Sequence, residues 1–206
     1  MAQDLGEPAG PPGPLHRGRP LEMANLYVAL MHYPMKSLKG GVVATAITSL
    51  DVVDIARSCR TYNVSRYFIV HPLESQRTIV QRILEFWRQA RPSRVEAVEI
   101  ISVMEDLEDC VHMVSEWEGQ DPLIWGTSAR PGLPYPRITW EEARKHLRTE
   151  EKPVLLLFGT GNGMAEELLW ACDALLPPVR EKNDYNHLSV RAAAAIILDR
   201  LKGDEG

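Results

Sequence analysis

Cysteine is scarce in this chain. Cys59, Cys110 and Cys172 are the full set, odd in number and widely spaced. Such spacing builds neither a disulfide framework nor a cysteine-based zinc site, and it fits a reducing cytoplasm. Long hydrophobic runs are missing too. No window reaches the roughly 18 apolar residues that a membrane-spanning helix needs, and the N-terminus lacks the apolar stretch of a signal peptide. There is no basic excess: 23 Lys and Arg against 28 Asp and Glu give a formal charge of −5. That balance excludes wholesale electrostatic binding of nucleic acid, which leaves a basic footprint. It leaves room for a local basic face, because Arg57, Arg60 and Arg66 cluster, as do Arg77, Arg82, Arg88, Arg91 and Arg94. The common nucleotide motifs are also missing. No Walker lysine follows a glycine-rich loop, which excludes a P-loop nucleotidase. The glycines of "GTGNGM" are too closely spaced for the dinucleotide fingerprint, and no acidic residue stands at the position a ribose would require, which argues against a dehydrogenase.

What is present is a chain with enough apolar residues, 45%, for a sizeable core. Residues 1–22, "MAQDLGEPAGPPGPLHRGRPLE", are the exception. They are rich in Pro and Gly and nearly free of large apolar side chains, and so are expected to be a disordered extension. Residues 23–206 show no repeat and no interior linker, and are read as one domain.

Within that domain strand and helix patterns alternate. "LYVALMHYP" and "RYFIVHP" are short apolar strands halted at Pro34 and Pro72. Between them a helix near Ser49 carries Leu50, Val53, Ala56 and Cys59 on one stripe, with Ser49 or Asp51 as its cap. A helix over 73–90 is expected to turn Ile79, Ile83, Phe86 and Trp87 inward. A strand is expected over 95–102, a helix over 104–117 carrying Leu107, Val111 and Val114, a strand over 123–125 and a helix over 140–147. Val154 to Phe158 is a continuous apolar run, the mark of a strand covered on both faces. The fold class is therefore α/β, a mostly parallel sheet with helices on both faces.

Ligands of such sheets bind beyond the carboxyl ends of the strands. Three strand ends carry unusual loops: "WGTSAR" after 123–125, "FGTGNGM" after 154–158, and "LLPPVREKNDYNHLS" after 174–176. The third runs into the last helix, where Asn186 can cap and where exposed amides favour an anionic group. Glycines after a strand are often ordinary turns. The residues alone therefore point only to an α/β protein with a small-molecule site at these loops.

Beyond that, "LLLFGTGNGM", "LLPPV" and "NHLSVRAAAAIILDRL" resemble the second and third motifs of the SPOUT RNA methyltransferases. From about Ala24 the chain is similar to a bacterial family of S-adenosylmethionine-dependent RNA methyltransferases in that superfamily, some of whose members are fused to a tRNA guanine methyltransferase. The resemblance implies a trefoil-knotted C-terminal half, a homodimer, S-adenosyl-L-methionine as cofactor, and tRNA or rRNA as substrate, with neither metal nor membrane. It implies cofactor contacts from Gly126, Thr127, Phe158, Gly159, Thr160, Gly163, Leu176, Pro178, Val179, Asn186, His187, Leu188 and Ser189. It also implies that "DVVDIAR" sets Asp51 where the ribose-methylating branch has asparagine, and Arg57 where that branch has the arginine lying near the target hydroxyl. Arg57, His187, Asp184 and His32 are the catalytic candidates. Arginine is a poor base, so Arg57 is expected to hold phosphate or orient the nucleophile, and His187 has the pKa range for proton transfer. Three residues depart from the family pattern. Asp51 replaces asparagine, Gly161 replaces a frequent glutamate, and His187 replaces the third-motif asparagine. Asp51 and Gly161 keep open the alternative of a non-catalytic RNA- or cofactor-binding protein.

Overall fold

The computed structural model describes residues 23–89, 92–180 and 185–203. The expected extension over 1–22 lies outside the described residues. In chain order the elements are β1 (Leu26–Met31), β2 (Met35–Lys36), β3 (Val42–Val43), α1 (Ser49–Thr61), β4 (Arg66–Val70), α2 (Glu74–Arg88), α3 (Pro92–Val98), β5 (Ile101–Met104), α4 (Leu107–Glu118), β6 (Leu123–Gly126), α5 (Trp140–Thr149), β7 (Val154–Gly159), α6 (Glu166–Trp170), β8 (Ala174–Leu175) and α7 (Val190–Lys202).

Six strands form one sheet in the order β5-β4-β1-β7-β6-β8, every neighbour parallel. β2 and β3 make a separate antiparallel pair. The central strands β1, β4 and β7 are the continuous apolar runs, buried along nearly their whole length as a parallel sheet demands. Alternation along β1 divides the core. Leu26, Val28 and Leu30 face α1, α5 and α7, whereas Tyr27, Ala29 and Met31 face α4 and α6. Helices thus cover both faces, as the sequence implies.

Four local expectations are corrected. The expected strand over 95–102 is the helix α3 followed by β5, shifted to 101–104. Pro92 opens that helix at the position where its fixed φ and missing N–H cost nothing. On α2 the buried residues are Val80 and Leu84, and Ile83 and Trp87 pack against the core as expected, but Ile79 and Phe86 are exposed. Leu50 is likewise exposed, although Val53, Ala56 and Cys59 of the α1 stripe are buried. The α1 cap is Thr48, whose hydroxyl accepts from the Asp51 amide.

α1 and α7 pack side by side and run the same way. Arg191 meets Asp51 near their N-termini, and the Tyr62 hydroxyl donates to Asp199 at 2.9 Å near their C-termini. Both helix N-termini therefore lie at the carboxyl edge of the sheet, where ligand loops belong.

Candidate active site

The loops after β6, β7 and β8 sit side by side because their strands do. Leu176 N–H donates to Gly126 O at 2.9 Å, and Thr127 Oγ1 donates to Leu157 O at 2.9 Å. Asn186 does not cap α7. Ser189 does, accepting from the Ala192 amide, and the Asn186 side chain instead donates to Ala129 O at 2.8 Å. The loop before α7 is thereby fastened to the loop after β6.

The turn after β7 takes its shape from two glycines with positive φ, Gly161 at 56° and Gly163 at 90°. A side chain at Gly163 would meet nothing within 4 Å, so that face of the turn is open. Gly159 and Gly126 are different. A Cβ on Gly159 would lie 2.6 Å from Met164 Cγ, and one on Gly126 would lie 2.5 Å from Leu175 Cδ2. At both positions internal packing requires the absence of a side chain. Phe158 is also turned into the core. Leu176 and Pro178 are buried, Val179 is half-buried and Leu188 is exposed, so an apolar wall runs from core to surface beside the turn.

Beneath the turn lies a polar network that the sequence did not single out. Thr160 Oγ1 donates to Met31 O at 2.9 Å and meets Thr45 Oγ1, which in turn lies 3.0 Å from His32 Nδ1. Thr45 Oγ1 also donates to His32 O at 3.3 Å. His32 Nε2 is buried and has no hydrogen-bond partner among the described residues. His71 is satisfied at both nitrogens: Nε2 donates to Thr45 O at 3.1 Å and Nδ1 accepts from Leu73 N–H at 3.0 Å. Burial, reinforced by the nearby His71, lowers the His32 pKa to about 4, while Asp51 and Thr45 pull weakly the other way. Burial also lowers the pKa of His71. His32 is therefore a neutral interior group at neutral pH and does not face solvent or an RNA surface.

The remaining expected catalytic residues are dispersed. Arg57 is exposed on α1; its carbonyl accepts from the Thr61 hydroxyl at 2.9 Å, and among the described residues no carboxylate pairs with its guanidinium. His187 is exposed, its ring edge-on to Tyr185 with centroids 5.2 Å apart. Asp184 lies outside the described residues. Asp51 is 7% exposed and fully engaged: Oδ1 accepts from Arg191 Nη1 at 2.7 Å and Oδ2 from Thr48 Oγ1 at 2.7 Å. A carboxylate so occupied is not available as a base. Arg191 went unnoticed in the sequence, where it is one charge in an alanine-rich helix.

Three members of the arginine clusters are already engaged within the chain, while Arg57, Arg82 and Arg88 are exposed. Arg66 is buried, donates to Glu99 O at 2.9 Å and stacks 5.6 Å from the Trp117 ring centre. Arg60 pairs with Glu96 and Arg77 with Glu105. A groove of about 850 Å³ opens on the α4 and α6 face, but Glu108, Asp121 and Glu167 line it, a poor match for phosphate. Among the described residues no three His, Cys, Asp or Glu side chains converge as metal ligands, and no helix is long and apolar enough to cross a membrane.

Known proteins share this arrangement. The family profile for SAM-dependent RNA methyltransferases matches residues 25–203. A tRNA (guanine-N(1)-)-methyltransferase of Nitratidesulfovibrio vulgaris is 43% identical over 195 residues, 92% of this chain and 44% of that protein. The chain thus spans less than half the length of that relative. An uncharacterized protein of Aquifex aeolicus is 37% identical over 86% of this chain and 88% of its own. Among solved structures, the SpoU methyltransferase AviRb from Streptomyces viridochromogenes, in complex with the cofactor AdoMet, superposes with a TM-score of 0.55. That likeness covers 88% of this chain and 58% of AviRb at 14% identity, and it speaks to the fold alone.

Proposed function

Because the chain belongs to a family of SAM-dependent RNA methyltransferases, we propose that its loops after β6, β7 and β8 bind S-adenosyl-L-methionine and that it methylates an RNA, either tRNA or rRNA. The observation that carries this reading is that the loops after β6, β7 and β8 share the carboxyl edge of the sheet, one a glycine turn open at Gly163 and another fastened by Asn186 to the loop after β6. The residues present suit the cofactor. Gly161 and Gly163 let the backbone turn tightly with one side open at Gly163, Leu176 and Pro178 provide an apolar wall, and the buried His32 Nε2 has no protein partner among the described residues.

When bound, the cofactor supplies the electrophilic sulfonium methyl. The chain's own contribution is mainly placement, which in favourable cases lowers a barrier by about 7–11 kcal/mol. Thr127, Thr160, Gly163, Val179 and Ser189 hold or shape the cofactor side. His187 is the accessible group that accepts the nucleophile's proton. Arg57, exposed and uncommitted, orients the RNA.

Two features of this reading concern the whole assembly. α7 returns past the sheet to pack on α1, and a SpoU-like path of the chain makes the C-terminal half a trefoil knot, an exception to the usual avoidance of threading. Leu50 and Leu188 flank the Arg191–Asp51 contact and are 58% and 46% exposed. A second copy covering them gives a cytoplasmic homodimer, which sedimentation would detect.

The test is calorimetric titration with S-adenosylmethionine and S-adenosylhomocysteine, followed by nucleoside mass spectrometry of RNA from cells with and without the protein. Binding of both ligands and loss of one methylated nucleoside in the deletion are expected. Absence of binding to either refutes the reading. Binding without any change in RNA would favour a non-catalytic binder, the reading that the occupied Asp51 carboxylate supports.

A further inference from the structure

We propose that the Arg191–Asp51 ion pair is a positioning device that sets the cofactor-side loop before α7 against α1, a role that rests on the methyltransferase reading above. Asp51 suits the first turn of α1, but local energetics do not explain its partner or its burial. Arg191 sits in the first turn of α7, where the helix dipole disfavours a cation. Asp51 is almost fully buried, where a carboxylate is costly without a partner. Alanine follows at Ala192, Ala193, Ala194 and Ala195 and would suit the position of Arg191 better on propensity alone.

What the pair does is mechanical. Arg191 Nη1 donates to Asp51 Oδ1 at 2.7 Å, and Nε lies 3.6 Å from Asp54 Oδ2. Thr48 holds the other Asp51 oxygen, so the carboxylate cannot swing away. Arg191 is two residues from Ser189, the α7 cap, and five from Asn186, whose amide is fastened to Ala129. The segment 185–191 is thus fixed to the loop after β6 at one end and to α1 at the other. The ion pair sits at the N-terminus of α1, the helix that also carries Arg57. Cutting the pair removes the polar tie at the α7 end of the loop and leaves that end held to α1 by the apolar packing of the two helices alone, which does not fix the first turn of α7.

The experiment compares wild type, Asp51→Asn, Arg191→Gln, the double variant and Arg191→Lys. S-adenosylhomocysteine affinity is measured by calorimetry, and amide hydrogen exchange is followed without ligand. Each single neutralisation is expected to weaken binding about tenfold, with the double variant no worse than either, as for two members of one interaction. Arg191→Lys should recover part of the loss. Exchange over 185–195 should quicken in the neutralised variants while α2 and α4 stay unchanged. Unaltered affinity with unaltered exchange in the single variants overturns the inference while the methyltransferase reading stands, as does multiplicative loss in the double variant. Wild type that fails to bind the ligand overturns both.

Discussion

Thr45 Oγ1 lies 3.0 Å from His32 Nδ1 and also meets the Thr160 hydroxyl, so one threonine joins the ends of β1 and β7. Its backbone is committed as well: Thr45 N–H donates to His32 O at 2.9 Å and its carbonyl accepts from His71. The first prediction follows from this hub. Thr45→Val keeps the shape but removes the hydroxyl partner of the buried His32 Nδ1, at a cost of about 1–3 kcal/mol, while Thr160 keeps its bond to Met31 O. Thr45→Ser should retain most of the stability because it retains the hydroxyl. Urea unfolding of both variants decides, and equal stability of the two would remove the hub from the account.

The pH dependence of stability should carry the signature of His32. Its folded pKa is depressed to about 4 by burial, below the unfolded value of 6.5. Above pH 6.5 both states are neutral and the full stability is present. As pH falls from 6.5 to 4, the unfolded chain takes up a proton that the folded chain refuses, so stability drops by about 1.4 kcal/mol per pH unit, roughly 3 kcal/mol in all. Below pH 4 this contribution changes no further. The lowered pKa of His71 acts in the same direction. His32→Gln should flatten the slope between pH 6.5 and 4 in chemical denaturation, and an unchanged slope would count against the burial assignment.

The fold was legible because strands buried on both faces show as continuous apolar runs and the helices between them show a period of 3.6. β1, β4 and β7 read as two-sided strands for the same reason that they occupy the centre of the sheet. Reading failed where a pattern was short or half-buried. The apolar residues Val95, Val98 and Ile101 fit a strand by composition, but Pro92 and the helix formers after it carry the segment into α3. The site was legible only as loops. Glycine after a strand carries no mark of its purpose, and Gly126 and Gly159 proved to be packing positions while Gly163 stands open. Thr45, His71 and Arg191 were invisible because each acts through a partner distant in sequence, such as Asp51 for Arg191, and a single sequence does not reveal which polar residues meet.

The same contrast among glycines yields a third prediction. Gly126→Ala places a methyl group 2.5 Å from Leu175 Cδ2 and 2.7 Å from Cys172 Sγ, so these buried side chains must shift, an overpacking that costs about 1–3 kcal/mol. Gly163→Ala meets open space and suffers only the backbone strain of φ at 90°, about 1–2 kcal/mol. Both variants should melt lower than wild type. Only Gly163→Ala should lose S-adenosylhomocysteine affinity beyond what its lowered stability explains, because its backbone forms the open turn. Thermal melts with and without ligand separate the two, and an equal ligand-induced shift in both would show that the turn does not contact the cofactor.

Arg57 gives the sharpest separation of stability from function. It is exposed on α1 and unpaired among the described residues, so Arg57→Ala should change folding stability by no more than about 0.5 kcal/mol. It also lies on a different face of α1 from Asp51. Six residues turn an α-helix well away from a full repeat, and Asp51 is buried while Arg57 is not. Cofactor affinity should therefore be unchanged. Turnover on RNA should nevertheless fall, by about a hundredfold if the guanidinium fixes the nucleophile's position to within an ångström. Arg57→Lys keeps the charge but not the planar fork, and recovers activity only if attraction to phosphate rather than orientation is what matters. Single-turnover methylation of the RNA found by nucleoside analysis is the measurement. Wild-type turnover in Arg57→Ala would place the RNA-orienting group elsewhere on the molecule.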